Sequence, residues 1–156
     1  MKRVLLRVDF NFPFEYKIQR TLPTITNLLK RGAAVVLITH LDTEGAAVML
    51  EKGLSTKKNA MHLDVLANAL KIHYPSLLLV RGLVGEPPKD FFIKHKNRLI
   101  LLDNLRLDKR EERNDHRFAK SLSKWGDYYI NEAFANSHRQ HASIVSLPML
   151  LPHDIG

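Results

Sequence analysis

Short apolar runs alternate along this chain with stretches in which apolar residues recur every three or four positions. Arg3-Val-Leu-Leu-Arg-Val8, Ala33 to Ile38, Leu77 to Val80, Leu99 to Leu102 and Tyr128 to Asn131 have the length and the apolar or aromatic content of strands. Proline at position 13 stops the first of them, because a residue without an N–H cannot extend a ladder. Between the runs the spacing predicts helices. Leu22, Ile25, Leu28 and Leu29 share one face of a helix that ends at Gly32 after a basic last turn. Leu63, Leu66, Ala67 and Leu70 do the same over Ala60 to Ile72, with Ser55 or Thr56 as the cap. Asn114 is expected to cap a helix running to Trp125, with Phe118, Leu122 and Trp125 inward. Residues 43–56 are less regular, with room for one or two helical turns from Gly45 to Lys52. A short amphipathic piece covers Lys89 to His95.

Apolar strands separated by helices imply an α/β fold, a doubly wound, Rossmann-like parallel sheet flanked by helices on both faces. Right-handed crossovers send all five strand ends toward one edge. Asp9, Asn11, His40, Asp103, Arg106, His138, Arg139 and His141 would collect there, at the edge where open parallel sheets bind ligands. Each residue alone has a plainer explanation. Asp9 and Asn11 can cap a turn, His40 can be a buried hydrogen-bonded histidine, and Arg106 and Arg139 can pair with Asp103 or Glu132. What favours a shared site is that several strands end in the same chemistry. Arg139 between His138 and His141 reads first as an anion cradle, since a guanidinium presents a planar fork to phosphate or carboxylate. A metal held by His138 and His141 is the weaker reading, with no cysteine and no carboxylate at ligand spacing.

Composition narrows the picture. The 156 residues suit a single domain with a substantial core. No apolar run approaches the ~20 residues of a membrane span, and Met1-Lys2-Arg3 leads into an apolar run too short for a secretory signal. The absence of cysteine removes a disulfide framework and fits a reducing cytoplasm. A net charge of +8 favours an anionic partner, but nucleic acid and a phosphorylated metabolite satisfy it equally.

Arg7-Val-Asp9-Phe-Asn11-Phe-Pro13, Leu22-Pro23-Thr24-Ile25, His40-Leu41, Leu102-Asp103-Asn104-Leu105-Arg106 and Ala133-Phe134 through His138-Arg139-Gln-His141-Ala-Ser143 together resemble, in order and spacing, the N-terminal domain of phosphoglycerate kinase. The resemblance covers almost the whole chain. It implies one half of a glycolytic enzyme that moves a phosphoryl group between ATP and 3-phosphoglycerate, running toward ATP from 1,3-bisphosphoglycerate. By motif match, Asp9 and Asn11 would hydrogen-bond the hydroxyl and carboxylate end of the substrate. His40, Arg106 and Arg139 would hold its phosphate, with His138 supporting the same loop. Mg-ATP or Mg-ADP would reach the reaction only through the family's C-terminal nucleotide-binding domain, the expected partner. No metal, membrane or nucleic acid is expected for this chain.

Two departures bear on the site. The family places an essential arginine five residues before its Leu-Pro pair, where this chain has Lys17 and, three residues on, Arg20. Lysine keeps the charge but not the fork, so Lys17, with Arg139, is the catalytic expectation in a weakened form. After His40-Leu41 the family reads Gly-Arg-Pro and this chain Asp42-Thr43-Glu44. Thr43 thus takes the place of a phosphate-binding arginine, which should lower substrate affinity. The chain stops at Gly156, where the resemblance reaches the start of the interdomain helix. The expectation is a truncated, autonomous half that binds phosphoglycerate weakly and does not turn over alone. The alternative is a divergent, non-catalytic anion-binding module.

Overall fold

In the computed structural model, which describes residues 1–82 and 85–155, six strands form one parallel sheet. They are β1 (Arg3–Arg7), β2 (Ala34–Ile38), β3 (Leu78–Val80), β4 (Leu99–Leu102), β5 (Tyr128–Asn131) and β6 (His153–Ile155). Their order across the sheet is β3-β4-β2-β1-β5-β6, with every neighbouring pair parallel. The first β-α-β unit leaves β1 for β2 on one side, and the chain later returns to place β5 on the other. β1 is therefore the switch point, and the crevice beyond its carboxyl end lies between divergent connections.

The strands are apolar on both faces because both are covered. Leu6, Val8, Val35, Leu37, Leu99 and Leu101 point into one core with α1 (Phe14–Lys30), α2 (Thr43–Glu51) and α3 (Asp64–Lys71). Leu5, Val36, Ile38, Ile100 and Leu102 point into the other with α4 (Phe91–Lys94) and α5 (His116–Ser123). The period of two along each strand divides the apolar residues between the layers.

Several elements depart from the sequence reading. Helix α1 begins at Phe14 rather than Leu22 and carries Pro23 inside it. Its buried residues Phe14, Ile18, Thr21 and Ile25 follow one helical face straight through the proline. Burial of that stripe outweighs one lost ladder bond. Helix α3 begins at Asp64, and turns and bends occupy residues 57–63. The less regular segment, with room for one or two turns from Gly45 to Lys52, holds a longer helix, α2, capped by Asp42, whose carboxylate accepts from the Gly45 N–H at 2.8 Å. Asp115, not Asn114, caps α5, accepting from the Phe118 N–H at 2.9 Å. Asn114 sits at φ 51° and accepts instead from the Ser146 hydroxyl at 2.6 Å. β6 has no counterpart among the five expected strands. Its three residues, His153 to Ile155, are too few to show a period.

Candidate functional site

The loops leaving β1, β2, β4 and β5 meet at the carboxyl edge of the sheet. Beneath them lies a buried charge network. Arg7, the last residue of β1, is fully buried, a position a guanidinium holds only if its donors are matched. Its Nε donates to Ser143 Oγ at 3.0 Å, one terminal nitrogen donates to the Val8 carbonyl at 2.8 Å, and the other meets His40 Nδ1 at 2.8 Å. Ser143 passes the contact on, its hydroxyl donating to Glu111 Oε1 at 2.5 Å. Glu111 is also fully buried and accepts from the Ser143 N–H. Burial pushes the Glu111 carboxyl up, opposed by Ser143 and by the charge of Arg7.

His40 stands just above Arg7, 2% exposed. Burial first, and then the guanidinium groups of Arg7, Arg106 and Arg139, pull its imidazole down to about 3. His141 is also lowered, by burial and then by Arg106 and Arg139. Arg7, Arg106 and Arg139 thus act on both imidazoles, and Arg7 touches His40 directly. Arg106 follows β4 in a short 3-10 turn, Leu105–Leu107, and pairs through one terminal nitrogen with Glu112 at 2.7 Å. The Nε atoms of Arg106 and Arg139, Nδ1 of His141 and Nδ2 of Asn136 are buried without a partner among the described residues. Buried donors left unmatched are costly, so this edge has unspent capacity for an acceptor.

Asp9 and Asn11 occupy the loop after β1. Lys17 Nζ donates to both oxygens of Asp9, at 3.0 and 2.9 Å. Asn11 Nδ2 donates to Asp42 Oδ2 at 2.7 Å. Asp42 links this group to the cluster: burial raises its carboxyl, but the Gly45 N–H, the Asn11 amide and then the charge of Arg106 bring it below the ordinary range. An open cleft of about 220 Å³ runs beside Asp9, lined by Lys17, Arg20, Tyr16, Glu132 and Phe134 among others. Lys17 and Arg20 thus share one wall. Thr43, the first residue of α2, is exposed. His138 is exposed too, and no hydrogen bond or ion pair ties it to the cluster among the described residues.

Asp103 is set apart from the ligand edge. It is fully buried and bonded to its surroundings on all sides. The sequence reading passed over Arg7 and Glu111 as site residues. The available signal was an arginine inside a strand otherwise buried on both faces, which requires a partner below the site.

The chain matches the family model described as phosphoglycerate kinase over residues 1–156. It is similar to the phosphoglycerate kinase of Orientia tsutsugamushi (strain Ikeda), 40% identical over 168 residues that cover 99% of this chain and 38% of that protein. With the Chlamydia pneumoniae protein of the same name it shares 38% identity, over 97% of this chain and 38% of the other. The fold is similar to the solved phosphoglycerate kinases of Coxiella burnetii, with a TM-score of 0.76 and 25% identity, and of Pyrococcus horikoshii OT3, with 0.73 and 26%. Each alignment covers 99% of this chain, but 38% and 40% of those structures. The chain spans about two fifths of the length of the proteins it matches. With its whole length inside the match and the sheet-edge motifs in family order, the chain belongs to the phosphoglycerate kinase family, in its N-terminal domain.

Proposed function

We propose that this chain is the phosphoglycerate-holding half of a phosphoglycerate kinase. It binds 3-phosphoglycerate or 1,3-bisphosphoglycerate for phosphoryl transfer with ADP or ATP in glycolysis, and nucleotide is supplied from a second domain of the same enzyme. The observation that carries this reading is the pair of buried guanidinium Nε donors on Arg106 and Arg139, unpartnered among the described residues beside His40. Two guanidinium groups with donors to spare, both acting on His40, suit a doubly charged phosphate. Asp9 and Asn11 take the hydroxyl and carboxylate end, as acceptor and as amide. Lys17, held by Asp9, brings a point charge to the cleft where the reacting carboxyl group would lie, with Arg20 on the same wall. Thr43 offers a hydroxyl but no charge, so affinity is modest. His138 contributes through the loop it shares with Arg139.

Transfer depends on holding donor, acceptor and metal together, and the residues proposed here serve the acceptor. Isothermal titration with 3-phosphoglycerate should therefore show binding, while a coupled assay on Met1–Gly156 alone shows no ATP formation from 1,3-bisphosphoglycerate. Arg139→Ala is expected to weaken binding at least about tenfold, the loss of one charge-assisted bond, with thermal stability kept. Equal affinity in the variant, or salt-sensitive oligonucleotide binding with no response to phosphoglycerate, would sink the proposal.

A further inference from the structure

The contact between Arg7 and His40 has a consequence for the protonation of the site. A guanidinium has donors only and stays charged, so the atom facing it at 2.8 Å, His40 Nδ1, must be the unprotonated nitrogen of the ring. The remaining proton then belongs to Nε2. Arg7 has no freedom to turn this arrangement round. Its Nε is engaged by Ser143 and its other terminal nitrogen by the Val8 carbonyl. Ser143 is in turn fixed by Glu111, and Tyr129 closes the same pocket by donating its hydroxyl to the Ser143 carbonyl at 2.8 Å. The imidazole is therefore read from below by a rigid, fully buried fork. Among the described residues the bond to the ring is made at Nδ1, which leaves Nε2 for a ligand.

We propose that Arg7 is a positioning residue that fixes His40 as the neutral Nε2–H tautomer, so that His40 meets the ligand phosphate as an uncharged donor while Arg106 and Arg139 supply the positive charge. A second proton on His40 would set an N–H against an N–H of Arg7. The charged groups facing the ring from other elements mostly act the same way: Arg7 from β1, Arg106 from the turn after β4 and Arg139 from the loop after β5 oppose the imidazolium, against Asp42 at the start of α2 alone. The division of labour follows. Phosphate recognition by His40 stays constant where a free histidine would titrate, and Glu111 supplies the counter-charge that lets Arg7 stay in the core.

The ligand half of this inference rests on the phosphoglycerate reading; the tautomer half does not. Nitrogen-15 NMR of the histidine rings in the wild-type chain without ligand, with His40 assigned by comparison with His40→Gln, tests the latter directly. The expected result is a protonated Nε2 and a bare Nδ1, unchanged between about pH 5 and pH 8. A proton on Nδ1, or an imidazolium forming inside that range, overturns the proposal. The paired variant Arg7→Gln/Glu111→Gln removes both buried charges together and gives the ring a partner that can donate or accept. In it His40 should populate both tautomers and titrate, and the pH profile of 3-phosphoglycerate affinity should depart from the wild type's, which follows the second ionisation of the phosphate at about pH 6. A variant ring that keeps the wild-type tautomer and a flat profile shows that Arg7 is not the cause. If the paired variant does not fold, the wild-type spectrum decides alone. A wild-type Nε2–H ring in a chain that ignores phosphoglycerate leaves the positioning role standing and removes the proposed function.

Discussion

The carboxylate of Asp103 is fully buried and accepts from His62 Nδ1 at 2.6 Å, from the Gly82 N–H at 2.7 Å, and from the Leu63 and Asn104 N–H groups at 2.9 Å each. Beside it, the Asn104 side chain accepts from the Leu41 N–H at 2.8 Å and donates to the carbonyls of Leu41 and Met61 at 2.9 Å. Asn104 stitches the loop after β2 to the loop after β4, while Asp103 ties the loop after β4 to the turn before α3 and to the loop after β3, so the strand ends carrying His40 and Arg106 are held by both. Removing the carboxylate would strand backbone donors in a dry site, each costing about 1–3 kcal/mol. Asp103→Ala is thus expected to lose about 3 kcal/mol or more of stability, read from the urea midpoint at constant slope. A loss under about 1 kcal/mol would mean that these contacts are not holding the loops. In the sequence Asp103 and Arg106 look like equal members of a polar strand end. What separates them is the pair of distant backbone amides at Leu63 and Gly82, which no local pattern encodes. Arg7 was hidden for the opposite reason, by its place in an apolar run.

Among the elements, β1 to β5 were legible because buried parallel strands are short, continuous apolar runs. Helix limits were less so. Pro23 looks like a helix opening when read locally, yet α1 runs through it because the stripe from Phe14 to Ile25 is buried. At α5 the expected cap, Asn114, is engaged instead by Ser146, 32 positions away, and its neighbour Asp115 caps the helix. The turn from α5 into β5 has its own constraint. Gly126 is buried against β1, and a Cβ there would lie 2.8 Å from Leu5 Cγ and 3.1 Å from the Leu5 nitrogen. Leu5 has no exposed surface and sits in a central strand, so it has nowhere to retreat. Gly126→Ala should cost about 2 kcal/mol by overpacking, a fall of about 5 °C in Tm for a domain of this size. An unchanged melt would show that β1 and the α5–β5 turn can separate without loss.

At the scale of the molecule, one topological fact creates the site: β1 lies between β2 and β5, so connections diverge on either side of it and their polar ends are gathered above Arg7. The same gathering gives the fold a pH dependence. In the unfolded chain His40 should take up a proton near the ordinary histidine value of about 6.5, whereas in the folded chain burial and then the three arginines hold it down to about 3. Between those values the unfolded state binds the proton that the folded state refuses, so stability falls as pH is lowered through 6.5 and goes on falling toward 3. From pH 7 to pH 5 this amounts to about 2 kcal/mol for His40. His141, lowered by burial and the same cations, adds in the same direction. The carboxylates of Asp42, Asp108 and Asp127, held below their ordinary range, lose their contribution only below about pH 4. Chemical denaturation at pH 7, 6 and 5 stays above that range; Glu111 and Glu132, whose carboxyls burial raises, act in the opposite sense but equally in wild type and variant, so comparison with His40→Gln assigns the His40 share. The wild-type chain should lose stability across that interval, and His40→Gln should remove most of the slope while keeping a side chain that can accept from Arg7. A variant whose stability changes between pH 7 and pH 5 as the wild type's does would mean that His40 is protonated as readily inside the fold as outside it, and that the cluster above Arg7 does not exclude the proton.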